Sequence, residues 1–183
     1  MNRRAVFSAF AVLALMGAAV TFATDASALN ADANGWYHTG DAMRTKTVFK
    51  VKVYAIGHDM KCLPPSKTKQ AVIDADCDKR FIWTMQRDVD KSKIIDALKE
   101  AYGLNAYTDA GKINQALAAF TVDLKETKHV YITYSAATKT TTFTEEGGGS
   151  ATVSGIDFMK GTWKIWLGNI DPPSIGDSLI ANL

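Results

Sequence analysis

Residues Thr45 to Ala55, TKTVFKVKVYA, alternate with a period of two. Thr47, Phe49, Val51, Val53 and Ala55 fall on one parity, and Lys46, Val48, Lys50, Lys52 and Tyr54 on the other. Successive side chains leave a strand on opposite faces, so this run predicts a strand with one face against a core. The first parity is expected inward and the lysines outward, where water screens their mutual repulsion. Arg44 shares the outward parity as long as no bulge intervenes, beside a loop at Gly40 and Asp41, and Gly57 is expected to end the run.

A second strand is expected in RFIWTMQRDV, with Phe81, Trp83 and Met85 on one side and Ile82, Thr84 and Gln86 on the other. Asp90 then suits the cap of a helix. Ile94, Ile95, Leu98, Ala101 and Tyr102 recur along it at helical spacing, and Gly103 suits its end. Another helix follows Thr108 or Asp109, with Ile113, Leu117 and Phe120 as its apolar stripe. Val130, Ile132 and Tyr134 mark a further strand, Thr140 to Thr144 another, and Gly147 to Ser150 a turn within the domain. Asp157 is expected to cap a third helix that runs to Gly168, and Pro172-Pro173 separates it from a short terminal helix. This order of strands, helices, strands and helices predicts an α+β domain around a mostly antiparallel sheet.

The first residues read differently. Arg3 and Arg4 precede an apolar run from Ala5 to Phe22, and Ala26-Ser27-Ala28 follows as a small-residue cleavage triplet. That pattern predicts a secretory signal peptide over residues 1–28 and one mature domain over 29–183, with no stable membrane anchor after cleavage. A transmembrane anchor is the alternative for the apolar run. Cleavage would leave 19 basic and 18 acidic residues of the original 21 and 19, so net charge implies no nucleic acid partner. In an exported chain the two cysteines, Cys62 and Cys77, are expected to form a disulfide. Closing a loop of about 15 residues stabilises by about 3 kcal/mol in the chain-entropy account.

No nucleophile elbow, phosphate loop, dinucleotide fingerprint or zinc-protease helix occurs, and His38, His58 and His129 show no metal-ligand spacing. No cofactor or metal is therefore expected, and each histidine is read as a surface residue. Glu145 and Glu146, beside glycines, read as a solvated turn. Arg44 stands apart, because a guanidinium at a cavity mouth can fork onto a carboxylate or an enolate-like oxygen. The alternative is a surface or ion-paired arginine. Tyr54 reads equally as a cavity-wall hydroxyl or an ordinary sheet aromatic, and Trp163 and Trp166 as helix core before ligand stack.

Three segments in order, GDAMRTKTVFKVKVYAIG, MQRDVDKSKIIDALKEAYG and TVSGIDFMKGTWKIWLG, resemble the chalcone isomerase-like family from Asn34 to the C-terminus. The resemblance is strongest to a bacterial exported branch. It implies an open-faced β-sandwich, a large antiparallel sheet with a layer of helices and a ligand cleft between them. The family includes enzymes that close chalcones to flavanones, fatty-acid binders and non-catalytic helpers. Arg44 resembles the arginine that stabilises developing enolate charge in the enzymes. Their strand threonine falls at Tyr54, their helix tyrosine and asparagine at Ile94 and Ala101, and a later threonine or serine at Ile165.

An intramolecular addition to an enone needs oriented hydroxyls or amides around its substrate. Ile94, Ala101 and Ile165 provide none. The expected site, Arg44, Tyr54, Ile94, Ala101 and Ile165, is an apolar cleft with one cation and one hydroxyl. It suits non-catalytic binding of a small amphipathic carboxylate such as a fatty acid in the periplasm or outside the cell. An intramolecular lyase or isomerase, and a structural or partner-binding domain, are the alternatives.

Overall fold

The computed structural model describes residues 29–46 and 51–183. Six strands form one antiparallel sheet in sequence order: β1 (Tyr37–Lys46), β2 (Val51–Met60), β3 (Lys79–Met85), β4 (His129–Ser135), β5 (Thr140–Glu145) and β6 (Ser150–Ser154). Every neighbouring pair is antiparallel. Among the described residues five helices accompany them: α1 (Lys69–Asp74), α2 (Lys91–Leu104), α3 (Ala110–Leu117), α4 (Ile156–Leu167) and α5 (Ser174–Ser178). The α+β fold is that of an open sheet carrying a helical layer on one face.

That face is the core. Tyr54, Ile56, Phe81, Trp83, Met85, Val130, Ile132, Tyr134, Phe143 and Val153 are buried on it, and Phe158, Met159, Trp163, Ile165 and Trp166 of α4 are buried with them. Inward and outward residues alternate along β3 as its sequence predicts, with Phe81, Trp83 and Met85 inside. On α2, Ile94, Leu98 and Tyr102 form the buried stripe. The Asp109 side chain accepts from Lys112 N at 3.0 Å and caps α3, satisfying a donor that the first helical turn leaves free. Gly40 lets α5 approach β1, since a Cβ there would stand 2.1 Å from the Ser178 carbonyl oxygen.

The structure corrects the reading of the first strand. Lys46 pairs antiparallel with Val51, so the expected single strand from Thr45 to Ala55 is two strands of a hairpin. Alternation of period two carries no mark of chain direction, and here it continues across a reversal. The buried face is also the other one. Tyr54, Ile56, His58 and Met60 are buried, whereas Val51 is exposed and Val53 and Ala55 are half-buried. Gly57 lies within β2, which runs to Met60, and Gly40 and Asp41 lie within β1. The expected leader, residues 1–28, and Thr47, Val48, Phe49 and Lys50 lie outside the described residues.

Three polar residues are more deeply placed than their sequence context suggests. His58 is fully buried: its Nε2 accepts from Trp163 Nε1 at 2.9 Å, and its Nδ1 lies 2.6 Å from Thr39 Oγ1. Thr39 Oγ1 in turn donates to the Leu179 carbonyl at 2.7 Å. The chain of bonds ties α4, β2, β1 and the end of α5 together. Glu145 is buried, not solvated, because its Oε2 accepts from the backbone N–H groups of Thr121 at 2.9 Å and Val122 at 3.3 Å. Asp157 is not the cap of α4; Gly155 occupies that position, and Asp157 in the first turn pairs with Lys112 at 2.8 Å.

Lys79 is the third. Its Nζ donates to the carbonyls of Val72, Ile73 and Ala75 at 2.8, 3.0 and 2.8 Å, at the carbonyl end of α1. Cationic charge there complements the helix dipole. Cys62 and Cys77 are joined by a disulfide with Cα atoms 6.1 Å apart, closing the segment that contains α1. So short a helix leaves no periodic signal, and its two buried residues are Val72 and Ile73.

Candidate functional site

Arg44 on β1 and Tyr54 on β2 are cross-strand partners. Partners in an antiparallel ladder project to the same face, and the Tyr54 side chain is buried on the helical one. The register shifts just after Arg44: Thr45 pairs with Lys52, so Val53 is the extra residue. The bulge sets Lys52 opposite Thr45 and so off the face of Tyr54, whereas Lys46, two residues on from Arg44 in β1, lines the same cavity. The guanidinium is half-buried, and its Nη1 donates to the Asp171 carbonyl beyond α4.

A cavity of about 630 Å³ opens between this part of the sheet and α2 and α4. Its size is that of a small-molecule site. All five residues singled out from the sequence, Arg44, Tyr54, Ile94, Ala101 and Ile165, line it. Ile94, Leu98 and Ala101 follow one another at helical spacing, so α2 supplies a continuous apolar wall. Ile165 and Trp166 come from α4, and Trp83 from β3. Charged groups, among them Arg87, Asp88, Asp90 and Lys93, stand among the lining residues as well.

The Tyr54 hydroxyl is held from one side only. Trp166 Nε1 donates to it at 3.0 Å, and its ring lies parallel to that of Trp83 with centroids 4.4 Å apart. Among the described residues no acceptor takes its O–H. Burial pushes the phenol above its ordinary range, with the Trp166 bond and the nearby Arg44 charge pulling the other way, so it is a neutral donor at neutral pH. Trp83, buried in the same wall, has an indole N–H without a partner among the described residues. The cavity therefore combines apolar walls with donors, and its chemistry favours a ligand that carries oxygen acceptors.

Trp83, Trp166 and Leu98 also line the cavity, although no sequence pattern marks them as site residues. Trp166 is core, as its helix spacing suggests, yet it also orients Tyr54. The signal that would have found Trp83 is its place on the inward parity of the strand next to Tyr54. Among the described residues no group of three or more His, Cys, Asp or Glu side chains is arranged to hold a metal, and no helix is long and apolar enough to cross a membrane.

The family model described as chalcone isomerase-like matches residues 20–173. Among solved structures, the fatty-acid binding protein AtFAP1 of Arabidopsis thaliana is similar with a TM-score of 0.67 at 14% identity, over 83% of this chain and 90% of that one. Identity that low speaks for a shared fold. No functionally curated protein matches the chain.

Proposed function

The chain belongs to the chalcone isomerase-like family, and from that premise we propose that it is a non-catalytic binding protein for a small amphipathic carboxylate such as a fatty acid. The observation that carries this reading is the convergence of Arg44 and Tyr54 on one cavity whose helical walls are apolar. A ligand carboxylate would take the guanidinium from the Asp171 carbonyl, because a charged acceptor makes the stronger bond. Tyr54 would donate its O–H to the same head group, and the alkyl chain would lie along Ile94, Leu98 and Ile165. The similar AtFAP1 is by its name a fatty-acid binding protein, which supports the choice of ligand class.

The residues favour binding over the isomerase reaction. Stabilising an enolate through Arg44 is one half of that chemistry; positioning the substrate through hydroxyls and amides is the other. Ile94, Ala101 and Ile165 supply none of those groups at the positions where the resemblance would place them, although Thr45 and Asn169 stand elsewhere in the lining. We also infer export of the bacterial type, to the periplasm or beyond, from the leader-like residues 1–28 and from a disulfide between Cys62 and Cys77.

Native mass spectrometry and lipid extraction of the purified protein test the proposal directly. Co-purifying or added fatty acid is expected to bind, and Arg44→Ala to weaken it. A protein that takes up no fatty acid, or that binds it equally well without Arg44, overturns the reading. Chalcone turnover above the spontaneous rate would favour the isomerase instead.

A further inference from the structure

We propose that the cavity edge carrying Lys46, Val51 and Lys52 docks on an anionic bilayer surface, from which the cleft takes its amphipathic ligand. The inference rests on the binding reading above and adds the source of the cargo. Val51 and Leu104, 36% and 58% exposed, are large apolar side chains that water covers poorly, and both line the cavity that holds Arg44 and Tyr54. Exposed apolar groups beside a cavity mark an interaction surface more strongly than the same groups scattered singly.

The charge around them selects the partner. Lys46 at the end of β1 and Lys52 at the start of β2 are exposed, and Arg87 is exposed among the cavity-lining residues. Among the described residues, none of the three forms an ion pair. Two of the nearby carboxylates are already engaged: Asp90 with Lys93 at 2.7 Å and Asp88 with Lys125 at 3.0 Å. Glu100 and Asp171 remain, against Arg44, Lys46, Lys52 and Arg87, so the balance of unpaired charge at this end is positive. A basic, partly apolar edge matches the headgroup region of a membrane that carries anionic lipid. Lys46 and Val51 of this edge also line the cavity, so a docked protein would hold the cleft against the lipid.

The test uses the processed protein recovered from its producing cell, its N-terminus confirmed by intact mass. Co-sedimentation is measured with phosphatidylcholine vesicles lacking or containing phosphatidylglycerol, and uptake of dansyl-undecanoic acid is measured in solution on the wild type. Binding to the anionic vesicles alone, weakened by salt, is expected. Replacing both lysines, Lys46→Gln with Lys52→Gln, should weaken it roughly thirtyfold, at about a factor of five to six per lost charge. Val51→Ser should weaken it further, and unchanged thermal melting of both variants keeps the comparison sound.

Uptake from solution with no vesicle binding overturns the docking proposal and leaves the cleft reading intact. Vesicle binding that survives both lysine substitutions also overturns it, since the surface then lies elsewhere. Failure of uptake by the wild type refutes the cleft reading and the delivery role with it. A vesicle-free dimer that buries Val51 would assign this edge to a second copy of the chain, against the proposal.

Discussion

Arg44 and Tyr54 stand opposite one another across the β1–β2 ladder, and Trp166 occupies the acceptor side of the Tyr54 hydroxyl. The phenol proton and the guanidinium are therefore both available to an oxygen placed in the cleft. Arg44→Ala is expected to weaken fatty-acid binding about tenfold to a hundredfold, the range for a hydrogen bond to a charged group. Tyr54→Phe should weaken it about fivefold. Titration calorimetry with a fatty acid and with the alcohol of the same chain length separates the roles. Loss of Arg44 should matter for the acid and little for the alcohol.

The cavity walls give an independent prediction. Ala101 faces the cavity from α2 and is half-buried, so a larger side chain there enters the space without removing a polar group. Ala101→Phe should abolish binding of long-chain acids while leaving the fold intact, and shorter chains should lose less. A dependence on chain length shared equally by wild type and variant would show that the alkyl chain lies elsewhere.

How far this site could be read from the sequence depends on which interaction placed each residue. Ile94 and Ala101 sit where helical periodicity put them, and the strand with Phe81, Trp83 and Met85 has the predicted inward face. Both patterns are local, set by the geometry of one element. The placement of Arg44 is not local. It depends on a reversal between Lys46 and Val51 and on the bulge at Val53, and alternation along one strand specifies neither. The same limit hid His58 and Glu145. Each is polar, and each is buried because partners from distant segments, Trp163 and Thr39 in one case and the Thr121–Val122 backbone in the other, satisfy it.

His58 predicts how the fold responds to acid. Burial, with the neighbouring Lys79 and His38 charges, pulls its pKa from 6.5 to about 3, so the folded protein keeps the ring neutral while the unfolded chain protonates it below 6.5. A proton bound only by the unfolded state removes stability. The loss is about 1.4 kcal/mol for each pH unit that falls below 6.5, until the folded state also protonates near 3. His38 acts oppositely and in another window. Partial burial opposes its charge, but the Asp59 and Asp41 carboxylates together outweigh that and raise its pKa, so its contribution is complete below 6.5 and is lost as pH rises through the raised value. The carboxylates with lowered pKa, such as Asp74 and Asp157, lose their contribution only below the usual carboxylate range. Lys79, pulled down to about 7, is protonated in both states once the pH is well below that value, so between about pH 6 and 5 the slope belongs mainly to His58. Urea unfolding across that window should show it in the wild type and not in His58→Gln, whose overall stability is lower.

Lys79 and the disulfide should hold α1 by different means. The lysine satisfies three carbonyls in the folded state, and burial lowers its pKa to about 7 while those acceptors favour the charged form. The disulfide acts mainly on the unfolded chain, where its closure over 15 residues is worth about 3 kcal/mol. Lys79→Met leaves the carbonyls unsatisfied and should cost about 3 kcal/mol or more, since bonds to a charged group contribute about 1.5–3 kcal/mol each before the desolvated acceptors are counted. Replacing Cys62 and Cys77 together with Ala should cost a similar amount by the other route. Hydrogen exchange distinguishes them: Lys79→Met should open the amides of Lys69–Asp74 selectively, whereas the cysteine double variant should lower global stability with smaller local opening. Equal, uniform loss of protection in both variants would mean that Lys79 supports the whole core through Trp163, 5.0 Å from its Nζ, and not α1 in particular.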